Sequence, residues 1–456
     1  MQRRDFLKYS TAAAAMGAAK LGLPSSAAAQ QSPLRKIDHV VVLMLENRSF
    51  DSMLGTLGKY YAADAGFDGL TGNESNLDVN NNPIAVYNDP TDYAFLIPDP
   101  DPGETFLDIN EQLFGIHGRV PPGAVPTMAG FVKNYMRQTK PAPSDPRHVM
   151  HYFKPEQIPV LSRLALEFAV CDRWFASAPC QTWPNRLFLH TGTPKDTAEP
   201  DAHGYEDNFV SKIVGGFASP TIFKQLENAN NGSSWKIYFR YGSVPHSSIL
   251  TELQYLIELV QIGGTNTFAS LARFMSDCEY GKLPSYSFVE PLYRDFNVSL
   301  SKPDDQHPVG DITPGEKLIA DVYNSVRRGK NWNSTLLIIT YDEHGGLFDH
   351  VRPPAAVPPD DVVTDPFNFD RYGVRVPAVI VSPYIKPRTV LRAAPGGYPF
   401  DHTSIIATLR KRFSIGAPLS NRIAVAPDLE PVLNLDQPSN QGPEILTPGD
   451  ASWFAR

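Results

Sequence analysis

Cysteine is scarce in this chain: Cys171, Cys180 and Cys278 are the only three in 456 residues. So low and odd a number excludes a disulfide-built scaffold, and no Cys-x-x-Cys pair offers a thiolate metal site. A single Cys171–Cys180 bridge and free buried thiols both remain open. Internal repeats and blocks of like charge are also missing. So is any Gly-x-Ser-x-Gly turn, which disfavours a serine hydrolase elbow. Basic residues are outnumbered, 41 Lys and Arg against 49 Asp and Glu, for a net charge of −8. An acidic chain is a poor partner for nucleic acid. The apolar stretch from about Tyr9 to Leu23 is too short and interrupted for a stable membrane span.

What is present begins with that same stretch. Arg3-Arg4-Asp5-Phe6-Leu7-Lys8 precedes it, and Ala27-Ala28-Ala29 follows as a small-residue cleavage site. The arrangement resembles a twin-arginine export signal, which implies passage through the export machinery in a folded state. Residues 1–29 are then a signal peptide, residues 30–456 a single catalytic domain, and the location periplasmic or extracellular. The segment carries a net +3 from Arg3, Arg4, Lys8 and Lys20 against Asp5, so its removal takes the charge from −8 to −11.

Proline, at 42 residues, points to long ordered loops. The stretch from Gly55 to Asp145 is rich in Asn, Asp, Pro and Gly, and reads as a functional loop region or lid rather than a second core. Strands are predicted at 37–46, Trp235–Phe239, Tyr286–Val289, 336–342 and 374–381, the last with Pro377 marking an edge, bulge or start. A further strand is expected within Val170–Phe175. Helices are predicted at Ile158–Ala169, 185–192, 250–275 with a break at Gly263-Gly264, Glu316–Arg328 and Ser404–Phe413. This alternation implies an α/β layered domain.

Two predicted strands deliver oxygen-rich clusters. Thr335-Leu336-Leu337-Ile338-Ile339-Thr340 runs into Tyr341-Asp342-Glu343-His344-Gly345-Gly346, with Asp349-His350 beyond. Ile37 to Leu45 runs into Glu46-Asn47-Arg48-Ser49-Phe50-Asp51. Ligands of open α/β sheets bind outside the carboxyl ends of strands. Adjacent buried acids are costly without a cation or hydrogen-bond donors. A third patch, Thr182-Trp183-Pro184-Asn185-Arg186, reads as a helix start. Its Thr182 hydroxyl is either a cap or a nucleophile in the positive potential of a helix amino terminus.

Taken in order, these three patches, with Asp305-Gln306-His307-Pro308 and Asp401-His402-Thr403-Ser404, resemble the bacterial phosphoesterase family. That family comprises phospholipases C and acid phosphatases of the alkaline phosphatase superfamily. The resemblance implies an alkaline-phosphatase-like three-layer α/β/α sandwich with long loop insertions, and hydrolysis of phosphate mono- or diesters through a phosphothreonine. By the same analogy Glu46, Thr182, Asp342 and Glu343 surround a divalent metal. Thr182 is the nucleophile, Asn47 and Asn185 bind substrate phosphate, and His307 and His350 contact phosphate or protonate the leaving oxygen. Hard oxygen ligands suit Mg, Ca or Mn, and carboxylates also bind Zn. The substrate is a phosphate ester, and a phospholipid head group fits.

Several readings compete with these. His350 beside Asp349, and His307 in its loop, could be hydrogen-bonded structural residues. Asp401 could simply cap a helix, and His344 could orient a neighbouring carboxylate. Departures from the family pattern are Ser52, where many members carry histidine, and Glu104, where some do. A sulfatase-like esterase is the enzymatic alternative, but Thr182 stands where the sulfatase signature needs proline. A noncatalytic binding protein is the third reading.

Overall fold

A computed structural model describes residues 32–121, 123–138, 141–196, 204–208, 217–229, 231–240, 244–250, 267–294 and 301–455. Twelve strands are seen there: β1 (His39–Leu45), β2 (Ser75–Leu77), β3 (Pro83–Ala85), β4 (Ala169–Val170), β5 (Trp174–Phe175), β6 (Trp235–Phe239), β7 (Phe268–Ser270), β8 (Tyr286–Val289), β9 (Thr335–Tyr341), β10 (Ala378–Val381), β11 (Thr389–Val390) and β12 (Phe400–Asp401). The α-helices are α1 (Phe50–Leu54), α2 (Phe106–Phe114), α3 (Phe131–Arg137), α4 (Pro159–Glu167), α5 (Thr182–Thr191), α6 (Ile222–Asn228), α7 (Leu271–Tyr280), α8 (Thr313–Arg328), α9 (Thr403–Phe413) and α10 (Asn421–Val425).

Eight strands form one sheet in the order β11-β4-β10-β9-β1-β8-β6-β7. All neighbours are parallel except β10, which is antiparallel to both β4 and β9. Central β1 and β9 are buried throughout apart from His39, as uninterrupted apolar runs require when both sheet faces are covered. Their register pairs Leu45 with Tyr341, so Glu46 and Asp342 leave the same edge together. On the other flank Leu43 pairs with Val289, and Glu290 leaves that edge beside them.

Helices cover both faces. In neighbouring strands Ile237 and Phe288 are in register and share a face, whereas Tyr238 points to the opposite one. His190 of α5 packs on Phe288 at 4.8 Å, and Phe274 of α7 packs on Tyr238 at 5.2 Å. One layer therefore contains α7 with α8 and α4, and the other α5 with α6, α9 and α10. The expected three-layer α/β/α sandwich is present. Residues Pro33–Arg456 form one compact unit. Among the described residues no helix is long and apolar enough to cross a membrane, and all three cysteines are free and buried.

Some elements differ from expectation. The 55–145 region carries a small core of its own, in which Ile109 and Leu113 of α2 pack with Phe131, Val132 and Tyr135 of α3. Thr105 and Asp108 start α2 with a reciprocal capping box that composition alone hides. The strand expected within 170–175 is split into β4 and β5. Asp172, between them, turns aside to pair with Arg392 and to accept from Asp68 N. Pro377 delays β10 to Ala378. Most of the helix expected over 250–275 lies outside the described residues; its end contains β7 and the start of α7.

Candidate active site

Asn47 closes β1 with φ 57°, a left-handed conformation that asparagine tolerates better than most residues. Its N–H donates to Asp342 Oδ1 at 3.2 Å, and its Nδ2 donates to Glu104 Oε1 at 2.6 Å. His307 Nε2 lies 3.0 Å from the same Nδ2, so that ring nitrogen accepts, and Nδ1 carries the proton toward Pro308 O. The loop bearing His307 is tied to the strand ends at three points. Glu46 N donates to Asp305 O, Arg48 Nε donates to Gln306 O, and Tyr341 OH meets Gln306 Oε1.

The chain after β9 turns through Gly345 and Gly346, both at positive φ. A Cβ on Gly345 would stand 2.3 Å from Asn47 O, so two strand-end turns meet where only glycine fits. Asp342 Oδ1 also accepts from Glu343 N at 2.8 Å. Beneath it, Trp174 Nε1 donates to His402 Nδ1 at 3.3 Å, which leaves His402 Nε2 to donate to Asp342 O at 2.7 Å. His344 Nε2 donates to Gln112 Oε1 at 2.8 Å, and its Nδ1 lies 3.2 Å from Glu343 Oε2.

Helix α5 brings the hydroxyl. Gln181, not Thr182, occupies the cap position, and Thr182 is the first helical residue. Its hydroxyl is therefore not used as the cap. Asn185, expected to bind phosphate, is occupied otherwise. Its Oδ1 accepts from Ala178 N, and its Nδ2 donates to Ala178 O, Cys180 O and Gln181 O. That amide fixes the turn from which Thr182 emerges. One helical turn after Thr182, Arg186 reaches Asp342 Oδ2 with Nε and Glu46 Oε1 with Nη2, each at 3.1 Å. Residues four apart share a helix face, so the hydroxyl and these carboxylates belong to one locality.

His350 is placed in a different set of contacts. Its Nδ1 lies 2.7 Å from Asp51 Oδ2 and its Nε2 3.2 Å from Asp68 Oδ1, while Arg375 joins Asp51 and Asp349 at 2.9 Å each. Burial opposes charge on His350, but the hydrogen bonds to Asp51 and Asp68 outweigh it and raise its pKa to about 10. These contacts describe an ion-pair brace between the first strand-end turn and the segment after β9.

The electrostatics fit a cation. Burial, then Asp342, holds the Glu343 carboxyl well above the usual range. Glu104 is raised by burial and then by Asp101 and Glu343. Glu343 Oε1 and Asn47 Oδ1 are buried without a hydrogen-bond partner among the described residues. Crowded acids with orphaned oxygens match the donor chemistry of a hard divalent ion. Asp101, Glu104 and His307 have ligand atoms within 4.8 Å of one another, as do Asp51, Asp349 and His350. Arg375 already balances that second group.

Four site residues were given no role in the sequence reading. Arg186 lies four residues from Thr182, a spacing that would have flagged it. Glu290 follows a predicted strand as Glu46 does; burial lifts its carboxyl to about 7. His246 stacks on Tyr293 at 3.6 Å, with Nδ1 3.3 Å from Glu46 Oε1. It sits in a Pro-flanked loop without a sequence signal. Asp101 lay in a segment read as a turn and as the loop that carries Glu104, with no role given to Asp101 itself.

Carboxylates, a hydroxyl and a guanidinium gathered at the carboxyl edge of a parallel sheet define a hydrolase-type site for anionic esters. The profile of the phosphoesterase family matches residues 37–416. Non-specific phospholipase C4 of Arabidopsis thaliana is 39% identical over 433 residues, covering 90% of this chain and 74% of the relative. Non-specific phospholipase C1 of the same plant is 39% identical over 431 residues, covering 91% and 74%. Phospholipase C A of Mycobacterium tuberculosis is 29% identical over 486 aligned residues, covering 96% and 86%. The chain belongs to the phosphoesterase family, hydrolases of phosphoric ester bonds.

Proposed function

We propose that this protein is an exported, metal-dependent phosphoesterase of phospholipase C type that works through a phosphothreonine at Thr182. The observation that carries the reading is Arg186, one turn from Thr182, bridging Glu46 and Asp342. It supports a nucleophile facing the carboxylates. The phospholipase C relatives favour a diester substrate over a monoester.

Asn47 Nδ2, on exchanging its contacts with Glu104 and His307, and the Thr182 N–H at the start of α5 would hold the phosphate oxygens. Thr182 Oγ1 attacks phosphorus in line with the ester oxygen. The Oγ1–P bond forms as the bond to the leaving alcohol breaks, and that alcohol takes up a proton. His307 Nε2, which carries no proton at rest, is the group assigned to receive the Thr182 hydroxyl proton and pass it to that alcohol. Water then attacks the phosphothreonine, the Oγ1–P bond breaks, and the phosphorylated head group departs. Glu46, Thr182, Asp342 and Glu343 would hold the divalent cation, which when bound would neutralise charge on the transferring group and favour ionisation of the hydroxyl.

The test compares para-nitrophenyl phosphorylcholine with para-nitrophenyl phosphate, with EDTA and with added divalent metals. Turnover of the choline diester, lost in EDTA and restored by metal, is expected. Turnover of the monoester alone would make the protein a phosphatase, and silence on both would overturn the reading. Export rests on the Arg3-Arg4 pair. Changing both to lysine should retain the protein in the cytoplasmic fraction, and unaltered export would remove that part of the proposal.

A further inference from the structure

A cavity of about 400 Å³ opens between the start of α2 and the loop before β10. Phe106, Leu107, Val120, Val363 and Phe367 form apolar walls. Among them stands Arg371, its guanidinium 4.8 Å from the Phe114 ring centre and 5.4 Å from that of Phe367. Its Nη2 donates to Asn110 Oδ1 at 3.1 Å, but its buried Nε has no hydrogen-bond partner among the described residues. No described carboxylate forms an ion pair with it. At the mouth, Asp370 is exposed, and Asp365 pairs with Arg119 at 2.9 Å across two exposed side chains, a contact that solvent screens and exchanges readily.

Exposed apolar side chains concentrate around this mouth. Val363 at 80% and Val125 at 65% are the two most exposed large hydrophobic residues among those described; Val363 and exposed Leu107 line the mouth, and Val125 and Val362 adjoin the lining residues Ala124 and Val363 in the chain. Singly such residues carry no message, but gathered about one cavity they form a patch that water does not favour. The cavity adjoins the catalytic edge. Phe106 N donates to Asp207 Oδ1, and the next residue, Asn208, accepts from Trp183 N beside Thr182.

Resting on the phospholipase C-type reading, we propose that this face docks on a bilayer of zwitterionic phospholipid. A lipid phosphate meets Arg371, the ammonium meets Asp365 and Asp370, and Leu107, Val125 and Val363 enter the acyl boundary. The charge pattern selects this occupant: Arg119 and Arg371 balance Asp365 and Asp370 at the mouth, a pattern without net charge that matches a head group carrying one charge of each sign.

The test is sedimentation with phosphatidylcholine vesicles and with phosphatidylglycerol vesicles. Wild-type protein should bind the former more tightly. The Val125→Ser/Val363→Ser double variant should lose about tenfold in binding, and vesicle hydrolysis should fall with it. Turnover of soluble para-nitrophenyl phosphorylcholine should not change. Arg371→Gln should weaken binding at an unchanged melting midpoint, and Arg371→Lys, which keeps the charge, should restore part of it should the glutamine variant fail to fold. Equal binding by the double variant, or tighter binding to phosphatidylglycerol, would overturn the proposal. Wild-type inactivity on the soluble diester would instead sink the phospholipase reading, while vesicle binding that the double variant loses would still support docking.

Discussion

Arg186 Nε lies 3.1 Å from Asp342 Oδ2, and this contact joins the nucleophile's helix to the end of β9. Both side chains are buried, and Glu46 shares the same guanidinium. Burial opposes charge on Arg186, but Tyr293, Asp342 and Glu46 more than compensate and keep it protonated. Removing one partner of such a pair strands the other charges in the interior. Arg186→Gln should cost about 3 kcal/mol in urea unfolding and most of the activity. An unchanged midpoint would mean that the strand ends do not depend on it.

Thr182→Ala should leave the fold intact and lower turnover by at least about a thousandfold, because a covalent route has no substitute nucleophile. Thr182→Ser should retain measurable activity. Near-normal rates for the alanine variant would remove the phosphothreonine.

Asp342→Asn should lose bound metal and activity together. Metal analysis of the purified variant, beside its hydrolysis rate, checks this. Persistence of both would show that the cation is held elsewhere.

His350 should contribute to stability in a pH-dependent way. Its pKa is raised from 6.5 to about 10, so the stabilisation from its charge is complete below pH 6.5 and is lost as pH rises through about 10. Melting midpoints of wild type and His350→Gln should therefore differ most at neutral and acidic pH and converge above pH 10. A constant gap across that range would assign the difference to packing.

Gly345→Ala should abolish activity through geometry. A methyl group there would press into the Asn47 carbonyl and add left-handed strain of about 1 kcal/mol. Hydrolysis should fall far more than the melting midpoint does, and equal kinetics would show that the two turns can part.

The central strands were legible because their apolar residues are contiguous and bounded by polar clusters. Trp235–Phe239 and Tyr286–Val289 match expectation in full. The strand-end logic that picked out Glu46 and Asp342 extends to Glu290, and helical spacing from Thr182 extends to Arg186. Glu104 was visible as a departure, but not its hydrogen bond to Asn47. Such a contact spans 57 residues and depends on how the small core around α2 and α3 seats itself. Asn185 and His350 were read by residue type, whereas their partners decide what they do. Asn185 faces four backbone groups of its own turn, and His350 faces Asp51 at the first strand-end turn and Asp68 in the loop beyond α1.

The small core between residues 86 and 150 separates two tasks in one chain. Glu46, Asp342, Glu343 and Thr182 belong to the main sheet and its covering helix, where a shift of one residue would reverse every side chain. Asp101, Glu104 and Gln112 come from a subassembly with its own apolar packing. That subassembly is keyed to the later chain through Phe348 and Val374. Exchange of the segment with those two contacts kept is expected to shift substrate preference, as a tool head is changed on a fixed arm, while the reacting groups stay where the sheet holds them.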